Sequence, residues 1–326
     1  MKAAIVTETG LEVREVPEPR PGAEQVLIRL RAIGMNRADL GVAAGHRHGS
    51  VGGPGAIPGL EGAGEVVEVG PGVPDTIRPG MRVMASMGAS WAEYALADWG
   101  RVSPLPEGAN LSWEQAAGLP VALQTMHDAV VTHGRAGPSK TLMIQGASSG
   151  VGLMGLQVAR LMGCPVVIGT STNPERRARL REFGATHAVD TNDPAWVDQV
   201  LEATDGRGVD SVVDQVSGRL VNQTLRATSI LGRIVNVGRL GGMAAEFDFD
   251  LHAARRITYI GVTFRTRSAD EIREIVRKMR ADLWPALERG ELRLPLDRVF
   301  PLDDVHAAIA HMKANAHFGK IILSPS

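Results

Sequence analysis

Between Thr141 and Gly163 the chain reads TLMIQGASSGVGLMGLQVARLMG, an apolar run that breaks into glycines and then resumes at helical spacing. Gly150, Gly152 and Gly155 stand in G-x-G-x-x-G order. The first suits a tight turn, the second lets main chain come close to a phosphate, and the third lets a helix pack against a strand. A helix that starts here points its free N–H groups and positive dipole end at an anion. Ser149, Gly150, Val151 and Gly152 are therefore the expected contacts for the pyrophosphate of a dinucleotide. In a chain with 38 glycines the triplet alone could be an ordinary turn, so its surroundings decide.

A second group lies about twenty residues on. An NAD site usually has Asp or Glu at the end of the second strand, accepting hydrogen bonds from the adenosine ribose. Here that strand ends in Thr170 and Ser171, and Arg176 and Arg177 follow. Hydroxyls and guanidinium groups suit a ribose phosphate, which a carboxylate would repel. The expectation is NADPH, with Thr170, Ser171 and Arg176 as contacts; the alternative is that both arginines belong to a solvated helix face.

These groups need a scaffold, and the sequence supplies one. Leu142, Met143 and Ile144 suit a buried parallel strand, and Leu153, Leu156, Val158 and Leu161 give the following helix one apolar side. Further strands are expected at 166–170, 187–190, 211–216, 233–238 and 258–264, alternating with helical stretches. This is the rhythm of a doubly wound parallel sheet. Asn173 can cap the helix PERRARLREF, with Pro174 in its first turn and Gly184 closing it. Asn236, Val237 and Gly238 end a strand, where open parallel sheets meet their ligands.

The first hundred residues differ. EQVLIRLRAI alternates, with Val26, Ile28, Leu30 and Ala32 on one face, and GEVVEVG and MRVMASM follow between glycine and proline turns, all signs of a mainly antiparallel region. Near the end, Asp303 or Asp304 can cap a helix that turns Val305, Ala308, Ile309 and Met312 inward, and GKIILSP closes as a strand. The tail is expected to rejoin the first part, and a cleft between that body and the nucleotide-binding one would hold the nicotinamide.

With 326 residues the chain can build two sizeable cores, and its formal net charge of −1 gives no electrostatic case for nucleic acid or an anionic membrane. No apolar run approaches the ~20 residues of a membrane span, and MKAAIVTETG is expected to form a first strand, so a cytoplasmic location is the default. Cys164 is the single cysteine, which excludes an internal disulfide and a zinc site built of cysteines.

In order along the chain, AIGMNRADL, IPGLEGAGEVVEVG, IRPGMRV, WAEYALAD, LPVALQTMHDAV, GASSGVG, GVDSVVDQVSG, GRIVNVG, FRTRSADE, FPLDDVHAAI and HFGKIIL resemble the zinc-independent quinone oxidoreductase branch of the medium-chain dehydrogenase/reductase superfamily. The resemblance implies an α/β fold: a Rossmann NADPH-binding domain at 120–264, and a β-rich GroES-like catalytic domain made of 1–119 and 265–326. It implies NADPH-dependent reduction of quinones or other α,β-unsaturated carbonyl compounds, and a homodimer built by pairing the cofactor-domain sheets. Zinc-dependent relatives have ligands where this chain has Asn36, Leu60 and Leu119; leucine cannot ligate zinc, and a lone Glu61 does not make a site.

Asn36 matches the family asparagine beside the nicotinamide, and Thr125 a threonine near the nicotinamide and phosphates. The family's tyrosine five residues after that asparagine is replaced by Gly41, which leaves the proton donor open; His46, His48 and His127 are the candidates. Arg265 and Arg267 could contact cofactor or substrate, although surface ion pairing is the plainer reading. Two further functions remain open: an enoyl-thioester reductase of the same superfamily, and an NADPH-binding sensor or structural protein with little turnover.

Overall fold

The computed structural model describes residues 1–47 and 52–325. It divides into two compact units, Met1–Val121 with Phe264–Ser326, and Ala122–Thr263.

The second unit is built on a six-stranded sheet, all of whose pairings are parallel. In spatial order its strands are His187–Val189, Val166–Thr170, Thr141–Gln145, Val209–Asp214, Thr228–Asn236 and Thr258–Gly261. The order reverses between Thr141–Gln145 and Val209–Asp214, the topological switch point beside which such sheets bind their ligands. Met143, Ile168, Trp196, Val212, Leu225 and Ile234 form the core on one face, each fully buried. At about 1.5–3 kcal/mol for each large side chain, this burial is what holds the helices Trp196–Glu202 and Val221–Ala227 against the strands. The helix Pro174–Arg179 begins as the sequence implies: the Asn173 side chain accepts the Arg176 N–H, and Pro174 fills the first turn. A short 3-10 turn, Leu180–Phe183, continues it to Gly184 at φ +100°.

The first unit carries a mostly antiparallel seven-stranded sheet. Its centre is the strand Gln25–Gly34, flanked by Glu61–Val69 and Lys320–Ser324, so the tail does rejoin the first part. Trp91, Ile28, Ile33, Val305, Ile321 and Leu323 pack into one core. The first residues form the strand Lys2–Thr7, hairpinned onto Gly10–Glu15. One expectation fails here. Neither Asp303 nor Asp304 caps the helix Val305–Lys313 with its side chain. A 3-10 turn, Leu302–Asp304, leads into the helix, and the Asp303 carboxylate turns instead to the Lys2 ammonium at 2.9 Å. Val305, Ala308 and Met312 are buried as expected. Among the described residues no helix is long and apolar enough to cross a membrane.

Candidate active site

In the first unit, register decides which side chains meet. Ile322 pairs with Gly34 across one edge of the central strand, and continuing that register by two residues sets Lys320 opposite Asn36. On the other edge Ile33 pairs with Gly62, which sets Glu61 opposite Gly34. Two glycines make the space. A Cβ on Gly34 would meet Glu61 Oε1 at 2.7 Å, and one on Gly118 would meet Lys320 Cγ at 2.9 Å.

The result is a buried polar cluster. The Lys320 ammonium donates to Glu61 Oε1 at 2.6 Å, to Met35 O at 2.9 Å and to Asn36 Oδ1 at 3.1 Å. Glu61 Oε1 also accepts from Asn36 Nδ2 at 2.9 Å, and Oε2 accepts the Val121 N–H at 2.8 Å. The side chains of Lys320 and Glu61 are 4% and 0% exposed, so this pair is satisfied wholly by protein groups. Asp39, in the short helix Asp39–Ala43, accepts the Asn36 backbone N–H at 2.7 Å through Oδ2. Its Oδ1 is buried without a partner among the described residues. Burial pushes the Asp39 carboxyl up to about 8, against the pull of the Asn36 N–H and the Lys320 ammonium.

The second unit carries the glycine-rich turn. The helix Gly150–Leu161 is capped by Ser149, whose hydroxyl accepts the Gly152 N–H at 3.0 Å. The N–H groups of Gly150 and Val151 have no partner among the described residues, since the cap reaches only one of the first-turn donors. A Cβ on Gly152 would lie 2.7 Å from Ala147 Cα, so that glycine is required by close main-chain packing, whereas one on Gly155 would meet the Met126 side chain at 2.8 Å from Sδ. The tight turn itself falls elsewhere. Gly146 takes φ +71°, whereas Gly150 is already helical, because the strand ends at Gln145 and the chain must reverse at once.

Thr170 and Ser171 sit beside this turn. The Thr170 hydroxyl accepts the Gly146 N–H at 3.1 Å, and the Ser171 hydroxyl meets that of Ser148 at 3.1 Å. Arg177 donates to Ser171 O and to Asp190 Oδ2, both at 2.9 Å, so its guanidinium braces the loop after the second strand. Arg176 is half-buried in the first turn of the neighbouring helix. The sequence reading missed Asp190; HAVD marked a strand, and nothing local shows that its carboxylate turns to Arg177.

At the ends of the next two strands, Val237 N–H and Gly238 N–H both donate to Asp214 O, at 2.8 and 3.1 Å. A Cβ on Gly238 would meet Gln215 O at 2.6 Å, so this glycine lets two loops touch. Asn236 donates to the Ser217 hydroxyl. Ser217 is held at φ +57°, with its N–H and that of Val216 both given to Asp214 Oδ1 at 2.8 Å. A serine in that region is under strain, the kind found around ligand sites. Burial raises the Asp214 carboxyl, which those two N–H groups oppose. Ser217, Asn236 and Tyr259 line one cavity with Arg239 and Met243.

The remaining expected residues lie on other elements of the two units. Thr125 is half-buried on the helix Pro120–Met126 and makes no side-chain hydrogen bond among the described residues. His127 is fully buried in a π-helical turn, His46 is exposed, and His48 lies outside the described residues. Arg267 stacks on Phe264 at 5.6 Å, and Arg265 is exposed. A Cβ on Gly41 would enter open space.

Comparison with known proteins agrees with both units. The alcohol dehydrogenase GroES-like domain family matches residues 22–107, and the zinc-binding dehydrogenase family matches residues 150–281. A mycocerosic acid synthase-like polyketide synthase of Mycolicibacterium smegmatis is 30% identical over 93% of this chain, which spans 14% of that much longer protein. The human synaptic vesicle membrane protein VAT-1 homolog is 28% identical over 97% of this chain and 82% of its own. Among solved structures, an alcohol dehydrogenase superfamily protein from Novosphingobium aromaticivorans superposes with a TM-score of 0.89 at 28% identity over all of both chains. A mycobacterial quinone oxidoreductase and a mycobacterial protein complexed with NADPH each give 0.87 at 26% identity, again over all of both chains.

The zinc of the matched family name does not fit the donors present. Asn36 Oδ1 and Glu61 Oε1 already accept from the Lys320 ammonium, and Leu60 and Leu119 offer no donor. Among the described residues no three His, Cys, Asp or Glu side chains gather closely enough to hold a metal ion.

Proposed function

Because the chain belongs to the medium-chain dehydrogenase/reductase superfamily, we propose that it is an NADPH-dependent, zinc-independent oxidoreductase whose substrate is a quinone or another α,β-unsaturated carbonyl compound. The observation that carries this reading is the Lys320–Glu61–Asn36 cluster. Where a metal-using relative would polarise a carbonyl with zinc, this chain has an internal cation already satisfied by protein oxygens. Acceptors that are electrophilic through conjugation, and need no Lewis acid, match such a site. The likeness to a mycobacterial quinone oxidoreductase and to an NADPH complex supports the same choice.

The residues present fit the cofactor. Gly150 and Val151 offer unpaired N–H groups at a helix N-terminus to a pyrophosphate, and Gly152, with no side chain, lets the helix start pack closely on Ala147. Ser171 and Arg176 answer a ribose phosphate, with Arg177 and Asp190 bracing the loop that carries them. Thr125 and the Asn236–Val237–Gly238 turn are assigned to the nicotinamide side. When bound, NADPH supplies the hydride. The chain's own contribution is to orient and to stabilise: the Asn36 amide donates to the oxygen that gains charge, and Ser149 holds the helix start that fixes the phosphates. With Gly41 in place of the family's tyrosine, the final proton comes from water in this scheme.

One observation favours a second reading, enoyl-thioester reduction: the likeness to a polyketide synthase segment over 93% of the chain. Oxidation of NADPH and NADH by chelator-treated protein against quinones, an enal, an enone and a crotonyl thioester separates the readings. Quinone or enone turnover with NADPH preferred is the expected result. Turnover confined to the thioester would move the assignment to the second reading, and tight NADPH binding without turnover would indicate a sensor. As part of the same proposal the protein is a cytoplasmic homodimer, paired along the edge of Thr258–Gly261 that no strand among the described residues covers.

A further inference from the structure

An asparagine amide has a donor end and an acceptor end of nearly equal shape, so something must choose between its two orientations. We propose that Lys320 and Glu61 are positioning residues that lock the Asn36 amide in one orientation and so fix where its N–H points; this rests on the role given to Asn36 above. The ammonium has only donors and the carboxylate only acceptors. Turning the amide over would set Nδ2 against the ammonium, now 3.1 Å from Oδ1, and Oδ1 against the carboxylate oxygen, now 2.9 Å from Nδ2. Both charge-assisted bonds would be lost to repulsive contacts.

Each member is itself pinned. All three ammonium protons are taken up by Met35 O, Asn36 Oδ1 and Glu61 Oε1. Glu61 Oε2 is held by the Val121 N–H, and the Asn36 main chain by Asp39 Oδ2. What remains on the amide is one N–H, whose other internal acceptor, Gly34 O, is 3.5 Å away, at the limit of hydrogen bonding. That N–H is the group left for a substrate oxygen. A purely structural ion pair would need no asparagine bonded to both partners, and buried pairs of that kind commonly exchange for apolar residues without loss.

The test is a cycle of variants: Asn36→Ala, the charge-balanced Glu61→Gln/Lys320→Met, and all three together, each assayed for kcat and acceptor KM, NADPH affinity and thermal melting. Positioning predicts that the charge-balanced variant loses about tenfold or more in kcat, with acceptor KM and NADPH affinity within about twofold. In the Asn36→Ala background the same pair of substitutions should change kcat by less than about twofold, because the residue it orients is gone. Full kcat in a folded charge-balanced variant, or an undiminished loss in the Asn36→Ala background, would overturn the proposal. Should the charge-balanced variant not fold, the wild-type protein still decides. The side-chain amide signals of Asn36, assigned by their absence in Asn36→Ala, should form one unbroadened set in a nitrogen-15 spectrum, and two sets or exchange broadening would refute the lock. If Asn36→Ala retains wild-type kcat, the role of Asn36 fails, while the spectrum still reads the lock itself.

Discussion

Asp39 and Arg177 show how one side chain's surroundings change its meaning. Asp39 looks like an ordinary acidic residue after a strand, yet burial pushes its carboxyl up to about 8. An unfolded chain would release that proton near the usual ~3.9. Between those values the folded protein holds a proton that the unfolded one has lost. Stability attributable to Asp39 is therefore full at low pH and declines as pH rises toward about 8, by up to about 1.4 kcal/mol per unit, then levels off. Glu61 and Lys320 act on the same carboxyl in opposite directions, so the contrast with Asp39→Asn isolates it. Denaturant midpoints from pH 5 to 9 should fall more steeply for the wild type; parallel curves would refute the raised carboxyl. For the arginines, Arg176→Ala should raise the KM for NADPH about tenfold, the worth of one charge-assisted bond, and leave that for NADH unchanged. Arg177→Ala should weaken both cofactors, because its guanidinium holds Ser171 O and Asp190 rather than a ligand. Equal effects of the two variants on NADPH over NADH preference would contradict that division.

The strand–turn–helix at Thr141–Leu161 was readable because its features are local: an apolar run, glycines and helical spacing. Which glycine makes the turn was not. Gly150 has the right place in the motif, but the end of pairing at Gln145 puts the reversal at Gly146. At the start of the helix, Ser149 spends its acceptor capacity on the Gly152 N–H. Ser149→Ala should lower stability by about 1 kcal/mol and weaken NADPH binding by fraying the turn that carries Gly150 and Val151. Chemical denaturation and cofactor fluorescence would check both, and unchanged affinity in the less stable variant would separate the cap from the phosphate site. The Asn173 cap was legible for the same reason, a short-range bond between neighbours. Asp303 and Asp304 were misread because a cap competes with any cation brought near, and Lys2 arrives from the other end of the chain.

At the scale of the molecule, the alternation of strands and helices in 141–263 implied a parallel sheet, and the family matches over residues 22–107 and 150–281 agree with the two-part α/β architecture. Among the described residues Thr258–Gly261 ends that sheet with one edge unpaired, and Tyr259 is 37% exposed, an arrangement that proteins usually cover. If the proposed dimer pairs there, Thr258→Lys/Ile260→Lys should sediment as a monomer while still binding NADPH; a dimer that persists would place the interface elsewhere. By itself the sequence determined the glycine-rich helix start, the hydroxyl and guanidinium groups after the second strand, and the absence of zinc-binding side chains at positions 36, 60 and 119. Each depends on residue type or on spacing within one or two turns of chain. Only the tertiary structure decided that Lys320, 284 residues from Asn36 along the chain, lies against it and Glu61. The register of three neighbouring strands and the space left by two glycines bring those groups together, and no local pattern encodes a contact that exists only once the sheet has closed.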